Sequence, residues 1–106
     1  MQRALQITLR DIGPSPAIDQ YVRERADKLE RFCPRLTGCH VTIETPHRHK
    51  THGRDVHVRI DLAVPGSALH VANPKHARPD AYAALDLAFD DAQRLLHDYT
   101  RRQRGD

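Results

Sequence analysis

The sequence predicts an α+β domain in the order β-α-β-β-β-α, a four-stranded sheet with two helices packed on one face. Three observations carry that expectation. Residues 54–62, Arg-Asp-Val-His-Val-Arg-Ile-Asp-Leu, alternate strictly: Val56, Val58, Ile60 and Leu62 share one face, and Asp55, His57, Arg59 and Asp61 share the other. Two longer stretches instead space their apolar residues by three and four, the period of a helix with one covered side. The connections around the alternating strand are too short for crossovers, so the middle strands should form an antiparallel meander.

The first strand comes from Leu5, Ile7 and Leu9 alternating with Gln6, Thr8 and Arg10, and Asp11-Ile12-Gly13-Pro14 breaks it. Ser15 stands at an N-cap position with Pro16 at the first helical position, where its missing N–H costs nothing. The helix that follows aligns Ile18, Tyr21 or Val22, Arg25 or Ala26, Leu29 and Phe32 as its packed stripe. On its outer face Arg23–Asp27, Glu24–Lys28 and Asp27–Arg31 stand at i,i+4, worth roughly 0.2–0.5 kcal/mol each. Pro34 stops this helix and Gly38 eases the turn into a second strand carrying Val41 and Ile43. Because a helix can serve as a crossover, the first strand is free to lie parallel to a neighbour.

Pro46-His47-Arg48-His49-Lys50-Thr51-His52-Gly53 is polar and without periodicity, and reads as a long hairpin connection into the alternating strand. Val64-Pro65-Gly66-Ser67 suits a type II turn, and Leu69 and Val71 give a short fourth strand. Asn73 to Pro79 is a connector. A second helix then runs from Asp80 to about Arg102, with Tyr82, Leu85, Ala88 or Phe89, Ala92, Leu95 or Leu96 and Tyr99 on its packed side. Five alanines at 81, 83, 84, 88 and 92 favour helix and let it approach a sheet closely.

Composition narrows function. Residues 1–106 make a single domain, with no apolar run of membrane-spanning length and no signal peptide, so a cytoplasmic location and no membrane contact are expected. Cys33 and Cys39 are read as reduced, partly buried thiols: their spacing is poor for a metal. The net charge is +3, with 17 Lys and Arg dominated by Arg, which leans toward phosphate or an acidic partner. His47, His49 and His52 share one loop, but Arg48 and Lys50 between them oppose a cation, so no metal and no cofactor are expected. No nucleophile–base–orienter set, Gly-rich phosphate loop or zinc-hydrolase motif is present, and Ser15 and Ser67 are accounted for as a cap and a turn; the expectation is not an enzyme.

The basic groups point to a binding surface. Arg48, Lys50 and Arg54 belong to the long loop, Arg59 to the wet face of the following strand together with Arg10 and His40, and Lys75 and Arg78 to the connector. Cations spread along a surface suit the phosphates of structured RNA. His57 and Arg59, rather than an aromatic pair, hold the central wet positions, which argues against a reader of single strands on that face.

Order and spacing of several stretches resemble a known family. They are the Leu5–Leu9 strand, Pro16-Ala17-Ile18 opening a helix that ends Arg25-Ala26-Asp27-Lys28-Leu29-Glu30-Arg31-Phe32, and the Val56–Leu62 strand with Pro65-Gly66 after it. The strongest is Asp80-Ala81-Tyr82-Ala83-Ala84-Leu85-Asp86 leading to Gln93-Arg94-Leu95-Leu96. Over nearly its whole length the chain resembles the ribosome hibernation-promoting and ribosome-associated inhibitor family, formerly called sigma-54 modulation proteins. That resemblance implies a double-stranded-RNA-binding-domain-like fold and a translation inhibitor that acts by occupancy. Such a protein sits in the messenger and transfer RNA channel of the small ribosomal subunit, against 16S-type ribosomal RNA and ribosomal proteins, and stabilises idle ribosomes under stress or in stationary phase. It implies the short form, without the further domain through which longer members pair ribosomes. A monomer is expected, its uncovered sheet face leaving room for a weak homodimer.

The resemblance also implies RNA contacts from Arg23, Arg25, Lys28 and Arg31 on the first helix and from Arg94, Arg101, Arg102 and Arg104 along the last, with Lys75 and Arg78 an addition of this chain. The last helix departs from the family pattern: residues 86–98 hold four Asp against one Arg, a stretch expected to repel phosphate unless docking moves to the loop and tail. The histidines of the loop are expected to strengthen binding between pH about 7.5 and 6. A second reading stays open, a protein-interaction or regulatory module on the same fold with little ribosome affinity.

Overall fold

A computed structural model describes residues 5–45 and 55–105. Strand β1 (Gln6–Arg10) is followed by helix α1 (Pro16–Phe32), strands β2 (Gly38–Glu44), β3 (His57–Val64) and β4 (Ser67–Val71), a 3₁₀ turn (Pro74–His76) and helix α2 (Ala81–Gln103). The strands lie in the order β1-β2-β3-β4. The β1–β2 pair is parallel, with α1 as its crossover, and the other two pairs are antiparallel. Both helices cover one face, as expected.

Local chemistry explains the boundaries. The Ser15 hydroxyl accepts from the Ile18 N–H and opens α1, and the Asp80 carboxylate accepts from the Tyr82 N–H and opens α2. Gly66 adopts φ 78, the left-handed conformation that a type II turn asks of its third residue, and Val64 pairs with Ser67 across it. The β3 strand therefore runs to Val64, two residues past the sequence-based limit. It also starts later than expected: Val56 pairs with Arg78 instead, by Val56 N–H to Arg78 C=O at 2.7 Å and Arg78 N–H to Val56 C=O at 3.3 Å. The connector thus prolongs the line of β4 beside β3.

The core lies between sheet and helices. Val41, Ile43, Ile60 and Leu62 meet Val22, Ala26 and Leu29 of α1 and Leu85, Phe89, Ala92 and Leu96 of α2, all buried. Cross-strand pairs Val41–Ile60 and Cys39–Leu62 set the register, because a slip of one residue would turn the apolar set toward water. Cys33 and Cys39 are free thiols, fully rather than partly buried. Two aromatic residues assigned to the packed stripes are exposed: Phe32 at 42% and Tyr82 at 38%. Each lies at the edge of its helix's apolar arc, where the neighbouring helix rather than the sheet sets coverage.

Candidate nucleic-acid interface

The two helices run side by side in the same direction. Contacts between them climb both sequences together: the Tyr21 and Tyr82 rings meet edge-on at 5.1 Å, Arg25 bonds Asp86 and Asp90, and the Phe32 and His97 rings lie 6.3 Å apart. At the far end the Thr100 hydroxyl lies 4.0 Å from the Cys33 sulfur. This alignment is the consequence of topology. With β1 and β2 parallel, α1 must run back against them, and α2, entering from the same end of the sheet after the Val56–Arg78 bridge, takes the same course.

Parallel helices place like ends together, and here the ends differ in charge. The first halves, residues 16–27 and 80–91, hold two basic side chains, Arg23 and Arg25, against seven acidic ones. The second halves, residues 28–37 and 92–105, reverse this: Lys28, Arg31, Arg35, Arg94, Arg101, Arg102 and Arg104 stand against Glu30 and Asp98. A chain of small net charge therefore carries a strongly basic end. The cations there also suit the negative ends of two helix dipoles.

The acidic side chains of α2 are largely engaged. Arg25, its side chain only 17% exposed, donates to Asp86 at 2.7 Å and Asp90 at 3.3 Å and lies over the Phe89 ring, 5.2 Å from its centre. The Tyr21 hydroxyl also donates to Asp86; that hydrogen bond is the main reason the phenol is pushed up from its ordinary pKa, with burial adding to it. Arg94 reaches Asp91 at 2.7 Å rather than Asp90, which stands at a helical spacing of four, because Asp90 is turned toward Arg25. The Nδ1 of His76 lies 3.1 Å from the other Asp91 oxygen, outside hydrogen-bonding geometry. The stretch expected to repel phosphate is thus in good part neutralised within the fold.

The sequence-derived basic residues separate accordingly. Lys28, Arg31, Arg101, Arg102 and Arg104 come together at the basic end, all exposed. Arg94, also exposed, sits half a helix back and is bound to Asp91. Arg25 is committed to the interhelical bridge, and Arg23 turns back to Asp19 at 2.8 Å, a pairing chosen over the expected Asp27. Lys75 and Arg78 lie at the start of α2, where the Arg78 guanidinium donates to the Lys75 and Ala77 carbonyls at 2.9 and 2.7 Å. Arg48, Lys50 and Arg54, with the loop histidines, lie outside the described residues. Arg35, Phe32 and His97 belong to the basic end and were missed; the spacing of Phe32 reads as core, and only its position relative to α2 shows otherwise.

The uncovered sheet face is mixed in sign. Rows across the strands place Gln6, His40, Asp61 and His70 in line, with Thr8, Thr42 and Arg59 beside them. A shallow groove of about 500 Å³ runs over Arg10, His40, Thr42, Glu44, His57, Arg59 and Asp61. Asp61 accepts from His70 at 2.6 Å and from Arg59 at 3.1 Å. Burial pushes its carboxyl up, but those two hydrogen bonds outweigh burial and leave it below the ordinary carboxylate value. Among the described residues no group of three or more His, Cys, Asp or Glu is placed to hold a metal ion. No helix of the described chain is long and apolar enough to cross a membrane.

Comparison with known proteins places this geometry. A ribosomal subunit interface protein from Coxiella burnetii superposes with a TM-score of 0.74 at 19% identity, covering 92% of this chain and 97% of that one. The N-terminal domain of Protein Y from Thermus thermophilus does so at 0.72 and 22%, covering 93% and 99%. A ribosome hibernation promotion factor of Deinococcus radiodurans is 31% identical over 97 residues, 92% of this chain and 49% of the relative, so the chain spans about half the length of that curated relative. Residues 5–104 match the family described as sigma 54 modulation protein / S30EA ribosomal protein, and the chain belongs to that family.

Proposed function

We propose that this domain is a non-enzymatic translation inhibitor that binds the small ribosomal subunit, occupies the channel used by messenger and transfer RNA, and stabilises idle ribosomes. The observation that carries the reading is the gathering of six basic side chains, Lys28, Arg31, Arg35, Arg101, Arg102 and Arg104, at one end of the parallel helix pair. Such a surface meets folded RNA through its phosphates, which requires separated cations and no sequence readout. The family relationship supports the same direction, and the wet sheet face, whose Arg59 is already bound to Asp61, is left with a lesser part. Action would be by occupancy, in the cytoplasm, with no cofactor.

Sedimentation of the full chain with purified small subunits tests this. Co-migration in dilute buffer that disappears as salt is raised is the expected result, since phosphate contacts are lost steeply with salt. Protein that stays at the top of the gradient in dilute buffer overturns the proposal. The second reading, a protein-binding module, draws on the acidic helix start, where Asp90 keeps a side chain 61% exposed despite its bridge. Capture of a basic protein in place of RNA, lost on Asp90→Lys and unaffected by changes at the basic end, would favour it.

A further inference from the structure

The second halves of the helices carry, besides charge, an aromatic surface that the core does not use. Phe32 ends α1 with 42% of its area exposed, although Leu29 and Cys33 on either side of it are buried. Its ring lies 6.3 Å from that of His97 on α2, the two planes inclined by only 32°. His97 is itself exposed. The two rings, one from each helix, thus form a tilted pair open to solvent. Lys28 stands one turn before Phe32 and Arg101 one turn after His97, with Arg31 and Arg35 flanking the phenyl ring in sequence.

Phe32 is the most exposed large apolar side chain among the described residues, and it stands among cations. An unpaired nucleobase supplies what the patch lacks: a flat π-face for the rings and a phosphate on either side for the cations. We propose that Phe32, backed by His97, is a stacking platform for one unpaired base of the RNA that this domain binds. The proposal rests on the RNA-binding reading above and adds a specific contact to it. A protein partner is the competing occupant, but two aromatic rings among six cations, with Glu30 and Asp98 the two acidic residues in the same helix halves, match a polyanion carrying aromatic bases better than a mixed surface.

The test uses the full chain and purified small subunits. Phe32→Ala should weaken binding by about ten-fold or more, the range for one lost base stack, while the salt dependence keeps its slope because no cation is removed. Phe32→Trp should bind like the native chain. The chain otherwise contains no Trp, so the difference in emission between Phe32→Trp and the native chain, each mixed with subunits, isolates the new indole, which should be quenched on binding by the stacked base. Native affinity in Phe32→Ala, or an indole that shifts to the blue without quenching as it would against protein, overturns the platform and leaves RNA binding standing. Failure of the unmodified chain to bind subunits removes both.

Discussion

Arg25 Nη1 lies 2.7 Å from Asp86 Oδ1, joining α1 to α2 across 61 residues of sequence. The same guanidinium covers Phe89, the largest fully buried side chain of α2, so one residue closes the interhelical seam and caps the core beneath it. Its Nε is buried without a hydrogen-bond partner, a cost accepted for the two carboxylates it holds.

Replacing Arg25 by Met should therefore destabilise the domain, by about 1–2 kcal/mol: a charge-assisted bond is worth more than this when buried, but its partners here are half open to water. Urea denaturation measures the loss. Affinity for small subunits should stay unchanged in the folded fraction, because this cation is occupied internally; a fall in affinity would show that it reaches RNA.

The basic end should govern affinity. Changing Arg31, Arg101 and Arg104 together to Gln should flatten the dependence of log affinity on log salt by about 2, at roughly 0.7 per phosphate contact. Arg23→Gln should leave the slope as it is, since that side chain is tied to Asp19. Titrations of subunits at several salt concentrations decide between a local and a diffuse surface.

Asp61 gives the sheet an acid-sensitive stitch. Its folded-state pKa lies below the model-peptide value of 3.8. A carboxyl lowered in this way contributes its stabilisation fully above the unfolded-state value and surrenders it as pH falls through the folded-state value. Asp61→Asn should accordingly lower stability at pH 6 yet make it less sensitive to acid below pH about 4. Thermal melts at pH 6, 4 and 3 for the two proteins should converge; parallel curves would show that Asp61 contributes nothing through its charge.

The thiols should be silent. Burial, with a smaller contribution from the charge of Asp61, pushes the Cys39 thiol up to about 12, and Cys33 is equally enclosed. A thiol reagent at pH 8 should find no fast-reacting group in the folded protein and two after denaturation. A rapid native reaction would mean that the sheet opens at β2.

Much of this architecture is written locally. Ser15 and Pro16 mark where α1 begins, Pro65 and Gly66 where β3 turns back, and Val56 to Leu62 which face of the strand is covered, because each depends on a few neighbouring residues. The misassignments share one cause, a competitor supplied by another element. Phe32 fits the apolar stripe by spacing, but its outer edge meets His97 and solvent instead of the sheet. Asp90 stands ready for Arg94 on its own helix, but Arg25 arrives from the other. Val56 belongs by alternation to the strand, but its backbone is taken by Arg78.

The candidate interface was legible only as a collection. Its cations could be named one by one, yet nothing in their spacing says that Lys28 and Arg31 sit beside Arg101 and Arg104, while Lys75 lies a helix length away. That knowledge requires the relative direction of α1 and α2, which follows from the parallel pairing of β1 with β2. The partial offset of the acidic last helix is hidden in the same way, since Arg25 reaches Asp86 and Asp90 from α1.

Two helices pointing the same way, each negative at its start and positive at its finish, give the helix pair a permanent electric moment far larger than its net charge suggests. With five surplus charges of each sign separated by about half the length of α2, roughly 17 Å, the moment is on the order of several hundred debye. In the field of a polyanion such a body feels a torque before it feels contact, and it turns its arginine-bearing tip forward while still in solution. Exchanging only the exposed, unbridged charges between the two ends would leave composition and net charge unchanged, and would send the domain toward a polyanion facing backward.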